Sequence, residues 1–197
     1  MKSKIVLALD VSTTTIGVAL LEAPSQKLLK LTHITPKVPK KNVSKTEEHF
    51  LKADLFKEFI QEYKDLGITD VIIETPLMGS NNIYTVATLL KYNGIISKIC
   101  YDELKVVPDY ISTSDARRNA FPDLVQPRKG KNGFGKPTLF GGFPTDVDKK
   151  MVIFEKVSEK YKNLNWPKTK NDTLKKECFD MSDAICAGLG WFRMKGY

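Results

Sequence analysis

The 197-residue sequence predicts an α/β fold, and three observations carry that prediction. Five consecutive apolar residues, Ile5 to Leu9, end in Asp10, and a hydroxyl-rich turn leads into a second apolar run. A segment of helical period is followed by the β-branched run Val71-Ile72-Ile73, as for a central strand reached through a helical crossover. Near the C-terminus a long helical segment carries small residues on one side, which lets a helix lie close to a sheet.

The first run reads as a buried strand that delivers one carboxylate at its end. Ser12 to Thr15 supply the turn, and a second strand runs from Ile16 to Leu21 with Gly17 near its start. A third strand, about Lys27 to Thr35, completes an antiparallel meander. Pro36 to Lys45 is a basic, proline-broken connector. Thr46 starts a helix whose first turn holds Glu47 and Glu48, where negative charge suits the helix dipole. Its apolar face is predicted from Phe50, Leu51, Leu55, Phe59 and Tyr63, and its end from Gly67.

Thr69 to Thr75 is the next strand. Pro76 cannot continue a hydrogen-bonded ladder, so Glu74 is expected at the strand's carboxyl edge. In open α/β sheets ligands bind at that edge. A polar loop, 78–82, leads to a helix of about Ile83 to Cys100, with Tyr84, Tyr92 and Tyr101 spaced for packing. Lys105-Val106-Val107 reads as a short strand, and Thr113 to Arg118 as a short helix after Pro108.

From Phe121 to Pro144 periodicity vanishes. Residues 117–150 hold five Gly, four Pro, eight Lys/Arg and three Asp, and so carry +5 of the chain's formal +8. Such a stretch reads as a surface loop, disordered in the free protein, that orders as a basic flap on a phosphate backbone. A helix of about Asp146 to Tyr161 follows, with Thr145 as N-cap and Val152, Phe154, Val157 and Tyr161 inward. The last helix is placed at roughly Asp172 to Met194, anchored by Trp191 and Phe192. Ala184, Ala187 and Gly188 extend the face that carries Asp180 and Asp183, two carboxylates at i and i+3.

The length suits a single domain, residues 1–197, with a basic Gly/Pro-rich insert at about 119–147. The basic balance, 31 Lys and Arg against 23 Asp and Glu, points to a polyanionic partner. Cys100, Cys178 and Cys186 lack CxxC spacing and suggest buried thiols in a reducing compartment, not a disulfide framework or zinc site. The N-terminal apolar run is too short for a signal peptide, and no stretch reaches the 18 apolar residues of a membrane span. His33 and His49 lie far in sequence from the acidic elements and read as structural.

Asp10 alone would be an ordinary turn residue. Together with Glu74, Asp180 and Asp183, it makes a set of acids from three separate elements. If they converge, mutual repulsion raises at least one pKa, and divalent cations relieve that penalty. Two Mg²⁺ balance four carboxylates, and hard oxygen ligands favour Mg²⁺ or Mn²⁺ over zinc. A metal pair of this kind clamps a phosphodiester for in-line attack by water.

Asp10 with its Ser/Thr turn and Gly17, then Val71-Ile72-Ile73-Glu74, then Asp180-x-x-Asp183-Ala184, resembles the RuvC-type Holliday junction resolvases of the RNase H-like superfamily. The resemblance covers most of the chain apart from 36–45 and 119–147. It implies an RNase H-like mixed five-stranded sheet in the order 3-2-1-4-5, with strand 2 antiparallel, flanked by helices. It implies Asp10, Glu74, Asp180 and Asp183 as catalytic metal ligands for two Mg²⁺, with Mn²⁺ able to substitute. A cytoplasmic homodimer that nicks opposing strands of a four-way DNA junction, with no membrane association, follows from the same likeness.

The likeness also places basic residues near the scissile phosphate, in the region of Arg117, Lys149 and Lys150. Arg118, Arg128, Lys129 and Lys131 join them as candidate DNA contacts. Bacterial members have Pro-Gly after the first Asp, where this chain has Val11-Ser12, and an aromatic after the Glu, where it has Pro76-Leu77-Met78. A junction-opening wedge would then be Leu77 or Met78. These departures and the long insert suggest a phage or viral branch. Other substrates of an RNase H-like nuclease, such as forks, flaps or RNA–DNA hybrids, fit the acids equally well. The Asp-x-Ser-Thr-Thr-Thr-x-Gly opening also resembles the first phosphate loop of actin-like ATPases and sugar kinases, though neither a second such loop nor an adenosine segment is evident. A catalytically dead DNA-binding module is disfavoured by the retained acids, which would repel phosphate.

Overall fold

The computed structural model describes residues 3–39, 42–76, 82–130, 133–141 and 147–197, without the side chains of 129, 130 and 133–135. Strands β1 (Lys4–Val11), β2 (Ile16–Ala23) and β3 (Lys27–Ile34) form the expected meander. β4 (Ile68–Thr75) and β5 (Asp109–Ser112) join in parallel, and the sheet order is β3-β2-β1-β4-β5. This is the mixed five-stranded sheet of the RNase H-like fold, with helices on both faces.

Strand alternation decides what each face holds. Leu7, Leu9, Val11, Val71 and Ile73 point toward α1 (Lys45–Gln61) and α2 (Ile83–Leu104), where Phe56, Ile60, Tyr92 and Ile96 complete one core. Val6, Ala8, Ala19, Leu21 and Ile72 point to the other face. There they meet α5 (Glu177–Met194), α3 (Thr113–Ala120) and α4 (Lys149–Lys160). By the same alternation Asp10 follows Val6 and Ala8, and Glu74 follows Ile72. Both carboxylates therefore project on the α5 side. Leu9 pairs with Ile73 in the parallel register, so the two acids sit level on neighbouring strands.

Close docking of α5 depends on residues with no side chain. Gly17, opposite Asp10 in the hairpin register, lies beneath the backbone of Asp180, and a Cβ there would fall inside the carbonyl of Asp180 and 2.8 Å from the Met181 nitrogen. Gly188 rests on Leu21 and Ala8, and Gly190 on the Ala116 backbone of α3. The small-residue stripe acts as expected, and Trp191 and Phe192 are buried beside it.

Several expectations need correction. The buried side of α1 is His49, Lys52, Ala53, Phe56 and Ile60, and Phe50 is exposed, whereas Tyr63 is fully buried just past the helix and Phe59 packs against the same core, as expected. Lys52 belongs to this inward side because it is anchored there: its ammonium donates to the Thr13 carbonyl at 2.7 Å and pairs with Glu48 at 2.6 Å. The helix ends at Gln61, and Gly67 instead terminates a 3₁₀ turn, Lys64–Leu66, in a left-handed conformation. Lys105-Val106-Val107 is not a strand. Lys105 caps α2 with φ 59°, and pairing resumes only after Pro108, at Asp109.

The presumed unordered insert contains an antiparallel ribbon, β6 (Val125–Gly130) and β7 (Gly133–Leu139), after a 3₁₀ turn, Pro122–Leu124. α4 starts at Lys149, capped by Asp148, whose carboxylate accepts from the amides of Lys150 and Met151. The proposed cap Thr145 lies outside the described residues. α5 starts five residues later than expected, because a small turn closed by a Lys168–Leu174 bridge takes up the preceding stretch. Tyr84 and Tyr101 are exposed, while Tyr92 is buried as predicted. All three cysteines are free and buried. Among the described residues no helix is long and apolar enough to cross a membrane.

Candidate functional site

At the carboxyl edge of β1 and β4 the sheet opens into a cavity of about 710 Å³. Asp10, Glu74, Asp180 and Asp183 all line it. The sheet supplies two of them by alternation. α5 supplies the other pair one helical turn apart, lowered onto β2 by Gly17. Three elements far apart in sequence thus bring four acids to one concavity.

Their electrostatics follow from that crowding. Burial, then the charges of Glu74, Asp183 and Asp180, push the Asp10 carboxyl well above the usual carboxylate range, with Lys150 opposing. Burial and Asp183 raise Glu74 to about 7, against the pull of a hydrogen bond from Thr113 and the charges of Arg117 and Lys150. Burial also raises Asp180 to about 6, and Lys150 again opposes the shift. At neutral pH the cluster is poorly compensated by the protein alone.

Arg117 provides much of the compensation there is. Its terminal NH₂ donates to both carboxylate oxygens of Asp183, at 3.0 and 3.3 Å. Asp183 is buried, only 5% exposed, and Arg117 is partly buried. Glu74 Oε1 accepts from the Thr113 hydroxyl at 2.6 Å, whereas Glu74 Oε2 is buried with no hydrogen-bond partner. A buried carboxylate oxygen left bare in an all-oxygen cluster suits a hard divalent cation. As the side chains stand, no three His, Cys, Asp or Glu among the described residues are gathered around one point as metal ligands would be. The donor chemistry fits Mg²⁺ or Mn²⁺, and the Arg117–Asp183 pair is the contact such an ion would have to rearrange.

The rim is basic. Arg118, Arg128, Lys149 and Lys150 line the cavity with Arg117, so five of the candidate DNA contacts meet there. Leu77, Met78 and Lys131 lie outside the described residues, as does the side chain of Lys129. Sequence reasoning missed Thr113 as the partner of Glu74. It missed Lys52 too, which grips the turn after Asp10, and Phe140, which lines the cavity from the end of the ribbon. A Thr at the start of a helix and a Lys on an apolar-looking helix carry no distinguishing pattern. His49 packs against Tyr92 in a tilted ring contact at 5.3 Å, on the sheet face away from the acids, in keeping with a structural part.

No model of a known protein family matches the chain, and no curated protein does. Among solved structures it is similar to RuvC of Thermus thermophilus in complex with a Holliday junction substrate. The TM-score there is 0.61 at 11% identity, across 97% of this chain and 95% of that one. A second Thermus thermophilus RuvC structure gives a TM-score of 0.55 at 13% identity with the same coverage. The fold is therefore RuvC-like over nearly the whole length of both proteins.

Proposed function

We propose that the chain is a divalent-cation-dependent endonuclease that resolves four-way DNA junctions by paired nicks, with Asp10, Glu74, Asp180 and Asp183 as its catalytic ligands. The observation that carries this reading is the arrival of all four acids in one basic-rimmed cavity of a RuvC-like fold. A cavity built only to bind phosphate would not gather four carboxylates, and one built only to bind cations would not ring them with arginine and lysine.

The roles divide by chemistry. Asp10 and Glu74 hold their carboxylates at fixed heights on adjacent strands, and Asp180 and Asp183 close the set from α5. Two Mg²⁺ held there, or Mn²⁺ in their place, would supply an activated water and neutralise charge at the leaving 3′ oxygen. Arg118, Arg128, Lys149 and Lys150 would hold the backbone on either side of the scissile phosphate, and Lys129 and Lys131 are proposed as further DNA contacts. Thr113 fixes the Glu74 carboxylate through Oε1 and leaves Oε2 without a protein partner, available to a cation. Leu77 or Met78 would serve as the wedge that opens the junction. The whole chain acts as one nuclease domain, and we place it in the cytoplasm of a bacterial or virus-infected cell, in a phage or viral branch.

A homodimer completes the reading, because symmetric nicking needs two centres. The outer side of α2 supports it. Ile83, Ala87, Leu90, Gly94 and Tyr101 follow a heptad-like spacing and are all exposed, and nothing lies within 4 Å of where a Gly94 side chain would begin. Glycine inside a helix costs stability, and nothing in the protomer requires it there.

Incubation with a synthetic four-way junction, with and without Mg²⁺, tests the proposal directly. The expected result is Mg²⁺-dependent nicking at symmetric positions, abolished in Asp10→Asn while junction binding persists. Stronger cutting of forks or RNA–DNA hybrids at the same salt concentration would reassign the substrate. Full activity of the Asp10 variant would remove the catalytic assignment.

A further inference from the structure

Resting on that reading, we propose that Arg117 is a cation-displaced pin. In the metal-free protein it closes Asp183, and it is released toward the substrate phosphate when a divalent cation takes over the carboxylate. Three features of the contact carry the inference. First, the guanidinium is badly used. A single terminal nitrogen spans both oxygens of Asp183, and Nε is buried without a partner. Arginine binds an oxyanion best through two parallel N–H groups. The two non-bridging oxygens of a phosphodiester in the cavity offer that geometry, whereas the present pose leaves a buried donor unmade.

Second, the acid side is equally incomplete. Glu74 Oε2 is buried and bare beside the same pair. A dication between Glu74 and Asp183 would satisfy that oxygen and take the lone pairs that Arg117 now occupies. Each ligand therefore mends one of the two missing interactions, and neither mends both.

Third, only the side chain is free to change. Gly190 of α5 packs on the backbone of Ala116, the residue preceding Arg117, so α3 and α5 are locked together at that point. The switch is then a choice of rotamer within a fixed frame. It keeps Asp183 paired in the absence of substrate and frees it when cation and phosphate arrive together.

Calorimetric titration of DNA-free protein with Mn²⁺ tests this. Arg117→Ala is expected to bind Mn²⁺ about tenfold or more tightly than the unaltered protein. Arg118→Ala removes an equal charge from the same cavity without touching a carboxylate, and is expected to gain no more than about threefold. In junction cleavage, the Mn²⁺ concentration giving half-maximal rate should fall in Arg117→Ala while the maximal rate drops, since the phosphate contact is lost. If the alanine variant is unfolded without metal, Arg117→Gln takes its place in the same titration. Affinity no tighter than that of Arg118→Ala, or weaker than that of the unaltered protein, would overturn the pin alone, provided Mn²⁺-dependent cleavage is intact. Absence of Mn²⁺ binding in both the unaltered protein and the Arg117 variant would overturn the pin and the nuclease reading together.

Discussion

On one face of the sheet α5 lies against Gly17, Ala8 and Leu21, with glycines wherever a Cβ would strike a neighbour. On the other face α1 and α2 pack through Phe56, Ile60, Tyr92 and Ile96, and the glycine of α2, Gly94, meets open space. The first arrangement trades side-chain volume for proximity, which puts the Asp180 and Asp183 carboxylates within the field of Asp10 and Glu74. The second builds an ordinary large-residue core and leaves an apolar stripe outward. Glycine thus has opposite meanings in two helices of one molecule. In α5 it is explained inside the protomer, and in α2 it has no explanation there.

The contrast can be broken at several points. The largest effect is expected at the chemistry: Asp10→Asn should lower the rate of junction cleavage by roughly a thousandfold or more, with binding retained, measured in single turnovers. Next comes the docking of α5. Gly17→Ala drives a methyl into the Asp180 backbone and should cost about 3 kcal/mol in denaturant unfolding, with loss of cleavage because the acid pair is displaced. Retention of both stability and activity would show that α5 can shift without consequence.

The acids themselves give a pH test. Glu74 is raised to about 7 and Asp180 to about 6, and Asp10 lies well above its ordinary value, chiefly through burial. The folded state therefore binds more protons than the unfolded chain above the usual carboxylate range, and metal-free stability must fall as pH rises from about 4.5 through 7. Thermal melts should show Tm decreasing over that interval, by several degrees. Added Mg²⁺ should restore more stability at pH 7.5 than at pH 5. A Tm independent of pH and Mg²⁺ would mean that the four carboxyls are not crowded.

The smallest effect belongs to the other face. Gly94→Ala should stabilise the protomer by about 1 kcal/mol, the helix-propensity difference, because nothing opposes the new methyl. Gly94→Trp should leave the protomer folded but shift sedimentation from dimer to monomer. A dimer that survives the tryptophan would place the interface elsewhere.

Much of this was legible from the residues. Short apolar runs ended by Asp10-Val11 or by Glu74-Thr75-Pro76 state both the strand and its end, and period-2 alternation then fixes the face on which the acid emerges. The small stripe around Asp183 announced a close helix. By contrast, the buried side of α1 was misread because Lys52 looks like a surface residue until the Thr13 carbonyl is known to wait for it. The ribbon at 125–139 was missed because its glycines and prolines erase local period, and its pairing is satisfied only across the two strands.

What the sequence determined by itself is the set of elements and the chemistry each could carry, since strand, helix and end signals act over a few residues. What only the tertiary structure decided is which charges meet. The pairing of Arg117 with Asp183, the grip of Thr113 on Glu74 and the bare Glu74 oxygen arise between elements brought together by packing. Coulomb energy and desolvation depend on distances in space, which local sequence does not encode.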